Sequence, residues 1–298
     1  YKLFKKWINK MQKYKKFDHI EDNFKNLRNK ICNEFENLEK CLIGGPNKNL
    51  KAGKFKKTSW KRKPDKGFKS GGGGVMSIMY GRLFEKVGVN ISTVYGSFND
   101  EMKHNIPGAS NNPNFYATGI SVVAHMHSPL IPAVHFNTRF ISTTKNWFGG
   151  GTDLTPMCNK SKNFSNKFHS ALKKTCDLHN KEYYPKFKKW CDEYFYLSHR
   201  NEPRGVGGIF FDNLSNNFEK DFNFVKDVGN TFLNTFTSIV NLRINDCWSK
   251  KQKEAQLIKR GRYVEFNLLH DRGTAFGLKT QGNIDAIFMS LPPLVSWK

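Results

Sequence analysis

Polar and apolar residues alternate along two neighbouring segments near the middle of the chain, over residues 121–127 and 134–140. Alternate side chains of a strand share a face, so each segment is predicted to be a strand with one polar face. Residues 128–132 interrupt the pattern, because neither of the two prolines there can donate to a strand ladder. The pattern predicts a β-hairpin whose two polar faces converge.

The predicted polar faces carry side chains of complementary chemistry. Ser121, His125 and His127 share the face of the first strand; His135, Asn137 and Arg139 share that of the second. Any one of these residues alone is typical of the solvent face of a half-buried strand. Together they combine a proton carrier, an amide and a fixed cation, which suits an acidic substrate.

Other segments show helical or strand periodicity on either side of the hairpin. Apolar residues recur at steps of three and four over residues 18–43, 164–178, 183–197 and 222–239, which predicts helices. Strands are predicted over residues 75–80, 83–87, 89–95, 205–211 and 260–267. Strands grouped early and helices interspersed later indicate an α+β fold, with one mixed or antiparallel sheet covered by helices.

The composition permits a folded enzyme and argues against several other classes. Of 298 residues, 38% are hydrophobic and 14% aromatic, enough for a core. No apolar run approaches the roughly 18 residues of a membrane span, and no signal peptide is recognisable. The six cysteines form no Cys-x-x-Cys pair. This usage fits free thiols in a reducing compartment, so a cytoplasmic location is predicted.

Positive charge is concentrated at the N-terminal end. The net charge is +24, and residues 1–69 hold 21 basic and 7 acidic residues. Such a segment raises the possibility of a nucleic-acid partner. However, lysine far outnumbers arginine, and asparagine, phenylalanine and isoleucine are abundant, as in an AT-rich genome. We therefore do not predict a nucleic-acid partner. Residues 1–57 are predicted to form a basic extension with one helix over residues 18–43, and residues 58–298 a single catalytic domain.

Two further segments carry candidate chemistry. Residues 147–156 join an aromatic pair, three glycines and Asp153, which suits close approach of the backbone to a ligand. Asp271 and Arg272 follow the predicted strand over residues 260–267. The glycine run at residues 71–74 lacks the remainder of a phosphate-binding loop.

Two rival interpretations remain open from the residues alone. His125, His127 and His135 could ligate iron or zinc in a metal-dependent oxygenase or hydrolase of another fold. Alternatively, the chain could be a binding module that uses its basic N-terminal segment. A radical enzyme with an iron–sulfur cluster is disfavoured, because the Cys-x-x-x-Cys-x-x-Cys motif is absent.

Several long motifs resemble one known family, oxygen-dependent coproporphyrinogen III oxidase, and occur in its order. They are HFNTRF at 135–140, FGGGTDLTP at 148–156, YYPKFKKWCDEYFYLSHR at 183–200, RGVGGIFFDNL at 204–214, GRYVEFNLLHDRG at 261–273 and MSLPP at 289–293. The resemblance runs from about residue 60 to residue 297.

The resemblance implies a large flat antiparallel sheet sandwiched between helices in a single domain. It also implies oxidative decarboxylation of two propionates of coproporphyrinogen III to vinyl groups, which gives protoporphyrinogen IX in haem biosynthesis. Molecular oxygen is the co-substrate, and carbon dioxide and hydrogen peroxide are released. The family works without an organic cofactor, although a divalent metal has been argued for bacterial members. It further implies a homodimer formed through residues 263–298.

The matching positions imply roles for individual residues. The implied catalytic residues are His135 as proton donor, Asp271 as acceptor of pyrrole N–H bonds, Arg272 as holder of a propionate, and Asp153. The implied substrate-binding residues are Ser121, Asn137, Arg139, Arg204, Gly282 and Asn283, the last standing where many members have arginine. The implied metal ligands are His125, His135, His169 and His199.

Overall fold

A seven-stranded sheet organises the chain in a computed structural model, in which the structure describes residues 15–279 and 282–297. A separate pair of two-residue strands lies beside it. The strands are β1 (Lys56–Lys61), β2 (Gly72–Met79), β3 (Phe84–Ser97), β4 (Asn114–Met126), β5 (Ala133–Ser142), β6 (Asn146–Thr155), β7 (Tyr196–Leu197), β8 (Glu202–Pro203) and β9 (Gly207–Leu214).

Helices lie on both sides of this sheet. They are α1 (Asp18–Cys41), α2 (Asp100–Lys103), α3 (Ser165–His179), α4 (Tyr183–Tyr194), α5 (Phe218–Asn241), α6 (Lys250–Leu269), α7 (Arg272–Lys279) and α8 (Ile284–Phe288), with a 3-10 turn over Asn159–Phe164. Within the described ranges, no helix combines the length and apolar character that crossing a bilayer requires.

The sheet is antiparallel throughout. Its strand order is β1-β2-β3-β4-β5-β6-β9, so the first six strands form a meander and β9 joins β6 after α3 and α4. The prediction of an α+β fold with one sheet covered by helices is confirmed, and the sheet is antiparallel rather than mixed.

One face of the sheet forms the main hydrophobic core. On β5, the residues between the polar positions, Val134, Phe136 and Phe140, are all buried there. Helix α5 supplies much of the opposite side, and Phe232 stacks on Phe136 with ring centroids 4.6 Å apart. Because the apolar positions of β5 are buried in this way, its polar positions must lie on the opposite face.

Helix α4 connects the two faces by running along the edge strand β9. Phe187, near the middle of α4, packs against Phe211 in the main core. Tyr194, at the end of α4, stacks on Phe210, which lies on the opposite face of β9. Residues two helical turns apart thus reach both sides of the sheet edge.

The predicted N-terminal helix is part of the central core. The prediction was residues 18–43, and α1 covers Asp18–Cys41 with Phe24, Ile31 and Phe35 buried against the sheet. The buried Glu39 carboxylate accepts backbone N–H bonds from Gly53, Arg82, Leu83 and Phe84 at 2.8–3.0 Å. Residues 1–14 of the predicted extension lie outside the described residues.

Two predictions of secondary structure were wrong. Residues 260–267, predicted as a strand, belong to helix α6, which begins with a capping box of Ser249 and Gln252. Its buried positions include Gln256, Arg260 and Tyr263, at helical spacing, but two of them are polar and this concealed the period. The strands predicted over residues 83–87 and 89–95 form the single strand β3, which has a bulge between Phe84 and Lys86.

Candidate active site

The predicted hairpin of β4 and β5 forms, and its register brings the two polar faces together. Ser121 lies directly opposite Asn137, and Val123 lies opposite His135. Arg139 lies opposite Gly119, whose missing side chain leaves space beside the guanidinium stem. The predicted convergence of the two faces is therefore confirmed.

His135 lies at the centre of this face and contacts a carboxylate on the next strand. Asp153 of β6 lies opposite it, and Nδ1–H of His135 donates to Asp153 Oδ1 at 2.9 Å. The amide nitrogen of Asn137 lies 3.1 Å from Nε2 of His135 and can donate to it. The ionised carboxylate can only accept, so Nδ1 of His135 carries a proton. Nε2 is the remaining ring nitrogen, and the His135 side chain is 16% exposed.

Asp153 is held in turn by a buried arginine. Arg204 forms an ion pair with Asp153, and both side chains are about 2% exposed. The Arg204 guanidinium also lies 4.0 Å from the ring centroid of Phe195 and 4.5 Å from that of Tyr263. Burial alone would raise the pKa of Asp153, but the charge of Arg204 and the bond to His135 outweigh it and lower the pKa. Asp153 is therefore ionised at neutral pH.

A second carboxylate lies above the sheet at the junction of α6 and α7. Asp271 accepts hydrogen bonds from the Thr274 backbone N–H at 2.8 Å, the Thr274 hydroxyl at 2.7 Å and the Tyr194 hydroxyl at 2.8 Å. Burial acts to raise the pKa of Asp271, yet these donors, together with His135, lower it below its ordinary value. The adjacent Arg272 is exposed, and its guanidinium lies 4.9 Å from the Tyr194 ring centroid.

Arg139 is paired with a carboxylate that the sequence analysis did not single out. Its Nη2 lies 2.8 Å from Oδ2 of Asp212, and the two side chains are 32% and 27% exposed. Asp212 follows Phe210 by two residues on β9, so strand alternation places both on the same face. Strand alternation could have indicated that Asp212 lies on this face. Its pairing with Arg139 on β5, however, depends on the strand order of the sheet, which the sequence does not show.

Glycines of β6 form the floor between these charged groups. Gly151 lies between Asn137 on β5 and Phe210 on β9. A Cβ at Gly149 would lie 2.4 Å from Asp212 Oδ1 and 2.9 Å from Arg139 Nη2, so only glycine leaves this ion pair undisturbed. Glycine therefore lets the charged side chains of the neighbouring strands lie close to the backbone of β6.

Comparisons with known proteins identify the family. The family model described as "Coproporphyrinogen III oxidase" matches residues 19–298. The chain belongs to the coproporphyrinogen III oxidase family. It is 58% identical over 275 residues to proteins named oxygen-dependent coproporphyrinogen-III oxidase from Rickettsia bellii (strain RML369-C) and Rickettsia rickettsii (strain Sheila Smith). These alignments cover 92% of this chain and 95% of each relative.

The family match also includes most of α1, because it begins at residue 19. The sequence motifs had placed the start of the resemblance near residue 60. The difference has a physical basis, since α1 contributes Phe24 and Phe35 to the same core as the sheet.

The four histidines suggested as metal ligands in this family do not converge. His125 is buried and bonds the Ser290 carbonyl at 2.8 Å, whereas His169 bonds the Val206 carbonyl at 2.8 Å. His199 contacts Glu265 at 2.8 Å and His135 contacts Asp153. Within residues 15–279 and 282–297, no group of three or more His, Cys, Asp or Glu residues could hold a metal ion. The donor set therefore does not fit a resident metal.

Two predicted substrate contacts have local structural partners. The Asn283 side chain accepts a hydrogen bond from Ala286 N–H at 2.8 Å and caps α8. Gly282 N–H donates to the Gly277 carbonyl at 2.8 Å. Contact of either residue with a substrate stays a prediction.

Proposed function

We propose that this protein catalyses the oxygen-dependent conversion of coproporphyrinogen III to protoporphyrinogen IX. For each of two propionates, R–CH₂–CH₂–COOH and O₂ give R–CH=CH₂, CO₂ and H₂O₂. One observation carries the proposal. In a protein of this family, the linked side chains of Arg204, Asp153 and His135 lie on one face of the sheet. The Asp271–Arg272 pair lies over the same glycine-containing face.

The substrate's chemistry is complementary to this face. Coproporphyrinogen carries four carboxylates at its edge and four pyrrole N–H groups at its centre. Arg272 and Arg139 are cations at the margin of the floor that can bind carboxylates through paired hydrogen bonds. Asp271 is an ionised acceptor suited to inward-facing N–H groups. Ser121 and Asn137 are neutral groups between them that can orient a pyrrole side chain.

His135 is the residue proposed to carry a proton during the reaction. When Nε2 gains a proton, Asp153 stabilises the resulting imidazolium through Nδ1–H, and Arg204 keeps Asp153 ionised. Of the two protons that hydrogen peroxide needs, one leaves the substrate carbon next to the pyrrole and passes through His135, and the other is the carboxyl proton of the equation above. Two electrons per decarboxylation pass from the propionate side chain through the electron-rich pyrrole to O₂, and the protein positions the substrate and shields it from water.

We propose that the reaction needs O₂ and no organic cofactor. No step is assigned to a metal, because the histidines suggested as ligands have separate partners within the described residues.

We further propose that the protein is a cytoplasmic homodimer formed through residues 263–298. Several large apolar side chains in the described part of that segment are exposed. They include Leu268 at 55%, Leu269 at 65%, Ile284 at 61% and Leu294 at 60%. A cluster of this kind is typical of a surface that a second subunit covers. Sedimentation equilibrium should give a dimer, and charged replacements at Leu269 and Ile284 should give a monomer.

Porphyrin fluorescence tests the proposed activity. Purified protein is incubated with coproporphyrinogen III in air, without oxygen, and in air with a chelator, and every sample is then oxidised chemically so that the porphyrinogens become fluorescent porphyrins. We expect protoporphyrin only in the two aerobic samples, at equal rates. No product from folded protein in air would overturn the proposed function, and loss of product with chelator would contradict the metal-free mechanism alone.

A further inference from the structure

Tyr194 links the two charged residues that lie above the sheet. Its hydroxyl donates to Asp271 Oδ1 at 2.8 Å and accepts a hydrogen bond from the backbone N–H of Arg272 at 3.1 Å. The Tyr194 hydroxyl therefore contacts the side chain of Asp271 and the backbone of Arg272. Sequence motifs gave no indication of this, because Tyr194 is 77 residues from Asp271.

The Tyr194 ring is fixed from both sides. It stacks on Phe210 with centroids 4.7 Å apart and an interplanar angle of 11°, while the Arg272 guanidinium lies 4.9 Å from its centroid. Phe266 and Phe195 pack against it edge-on. Because Phe210 belongs to the sheet face that holds His135, the ring sets the height and orientation of Asp271 above that face.

The Asp271 carboxylate has a definite orientation. Oδ2 is occupied by the backbone N–H and hydroxyl of Thr274, and Oδ1 by the Tyr194 hydroxyl. Thr274 is local, since it lies in the first turn of α7, and it fixes the carboxylate only relative to its own helix. Tyr194 is the contact that fixes the carboxylate relative to α4 and the sheet. Burial and the neighbouring Asp271 charge raise the pKa of Tyr194, so its hydroxyl remains a donor at neutral pH.

We propose that Tyr194 is a positioning residue that aims the Asp271 carboxylate and the Arg272 guanidinium together at the substrate. The inference rests on the proposed function, because it assigns Asp271 to the pyrrole N–H groups and Arg272 to a propionate. It adds a residue that touches neither the pyrrole N–H groups nor the propionate. Tyr194 acts by fixing the direction in which the Asp271 and Arg272 side chains point.

Tyr194→Phe is the direct test, because it keeps the stacked ring and removes only the hydroxyl. We expect kcat to fall roughly ten- to a hundredfold, as for loss of a hydrogen bond to a charged group. The acidic limb of the pH profile of kcat/KM should move to higher pH, because Asp271 loses a donor that favours its ionised form. The matched control is Tyr196→Phe, whose exposed hydroxyl bonds Asn201. It should match the wild type in both rate and pH profile.

A second readout needs no turnover. In protein with ¹³C-labelled aspartate carboxyls, the Asp271 signal can be assigned by its loss in Asp271→Asn. Its titration midpoint should be higher in Tyr194→Phe than in the wild type. An unchanged midpoint or an unchanged kcat would overturn the role of Tyr194. A wild-type protein that fails to convert coproporphyrinogen would overturn the proposed function, and the titration would still decide whether Tyr194 controls Asp271.

Discussion

His125 and His135 lie on the same face of two paired strands, but their surroundings give them opposite properties. His135 is 16% exposed and bonds an ionised aspartate. His125 is fully covered by Tyr263 and the segment around Ser290, to whose carbonyl its Nε2–H donates at 2.8 Å. Burial, with a smaller contribution from the Arg260 charge, lowers the pKa of His125 to about 3.

The difference shows that the elements packed against a strand, more than the strand itself, determine the environment and the role of a histidine on it. Helix α6 and the chain that follows it cover the end of β4 and keep His125 neutral. His135 has the Asp153 carboxylate of the neighbouring strand as its partner instead. An apolar cover with one carbonyl acceptor disfavours the charged form of His125. We therefore expect His135 to act in catalysis and His125 to act in stability.

The largest expected effect is a difference in kcat between the same substitution made at the two histidines. His135→Gln should lower kcat by roughly 10²- to 10⁴-fold, the usual contribution of a positioned acid or base. His125→Gln should leave kcat within about threefold, because glutamine can still donate to the Ser290 carbonyl and the assigned chemistry does not involve His125. Steady-state kinetics on both variants makes the comparison. Equal and severe losses would contradict it and would indicate that the two histidines act as one site.

Asp153→Asn should be nearly as damaging, and to stability as well as to activity. It leaves the buried Arg204 without a charged partner, which typically costs about 3–5 kcal/mol. Urea unfolding should show this loss, and the folded fraction should be almost inactive because the asparagine can no longer stabilise an imidazolium. Arg204→Lys, which keeps a charge but not the planar contacts with Phe195 and Tyr263, is the companion variant and should be less destabilised. A normal unfolding midpoint for Asp153→Asn would contradict the assignment.

The pH dependence of stability sharpens the contrast at His125. The folded pKa of about 3 lies below the ordinary value of 6.5, so the unfolded chain binds a proton that the folded chain does not. The contribution to stability is therefore complete above pH 6.5 and is lost as the pH falls towards 3. Between pH 7 and pH 5 the loss is about 2 kcal/mol.

Urea unfolding of the wild type and His125→Gln at these two pH values measures that contribution. The variant should lose about 2 kcal/mol less than the wild type on going from pH 7 to pH 5. His19→Gln, at an exposed histidine, is the control and should behave as the wild type. Identical pH dependence in all three proteins would show that His125 is not held neutral.

The smallest expected effect concerns Arg139 and Asp212 at the margin of the floor. This partly exposed pair should contribute at most about 1 kcal/mol to stability. Asp212→Asn frees the Arg139 guanidinium for a propionate, so the KM for coproporphyrinogen should fall by up to about fivefold. Arg139→Gln should raise KM instead. If Asp212→Asn also raised KM, Asp212 would be holding Arg139 in its binding position rather than competing for it.

Local patterns predicted the elements whose burial follows a simple period. Alternation over residues 121–127 and 134–140 predicted β4, β5 and the face they share, and apolar spacing predicted α1, α3 and α5. Helix α6 was missed because Gln256 and Arg260 are buried through polar contacts, with the Met126 carbonyl at 2.9 and 3.0 Å. Helical periodicity is hidden when buried positions are polar.

The partners within the site depend on tertiary contacts that no local pattern contains. Asp153 could be proposed from its glycine-rich segment, but not its pairing with Arg204, 51 residues away. The cover over His125 comes from a residue 165 positions away, so its sequence neighbourhood could not distinguish it from His135. Tyr194 and Asp212 were missed for the same reason.

The central claim is that O₂ takes electrons directly from a substrate held on this face. The measurement is the number of O₂ molecules consumed and H₂O₂ molecules formed for each protoporphyrinogen IX, in protein dialysed against a chelator. The account predicts two of each for every product molecule, and roughly 10²- to 10⁴-fold slower formation by His135→Gln at the same ratio. Product formation without O₂ consumption, or only after a metal is restored, would contradict it.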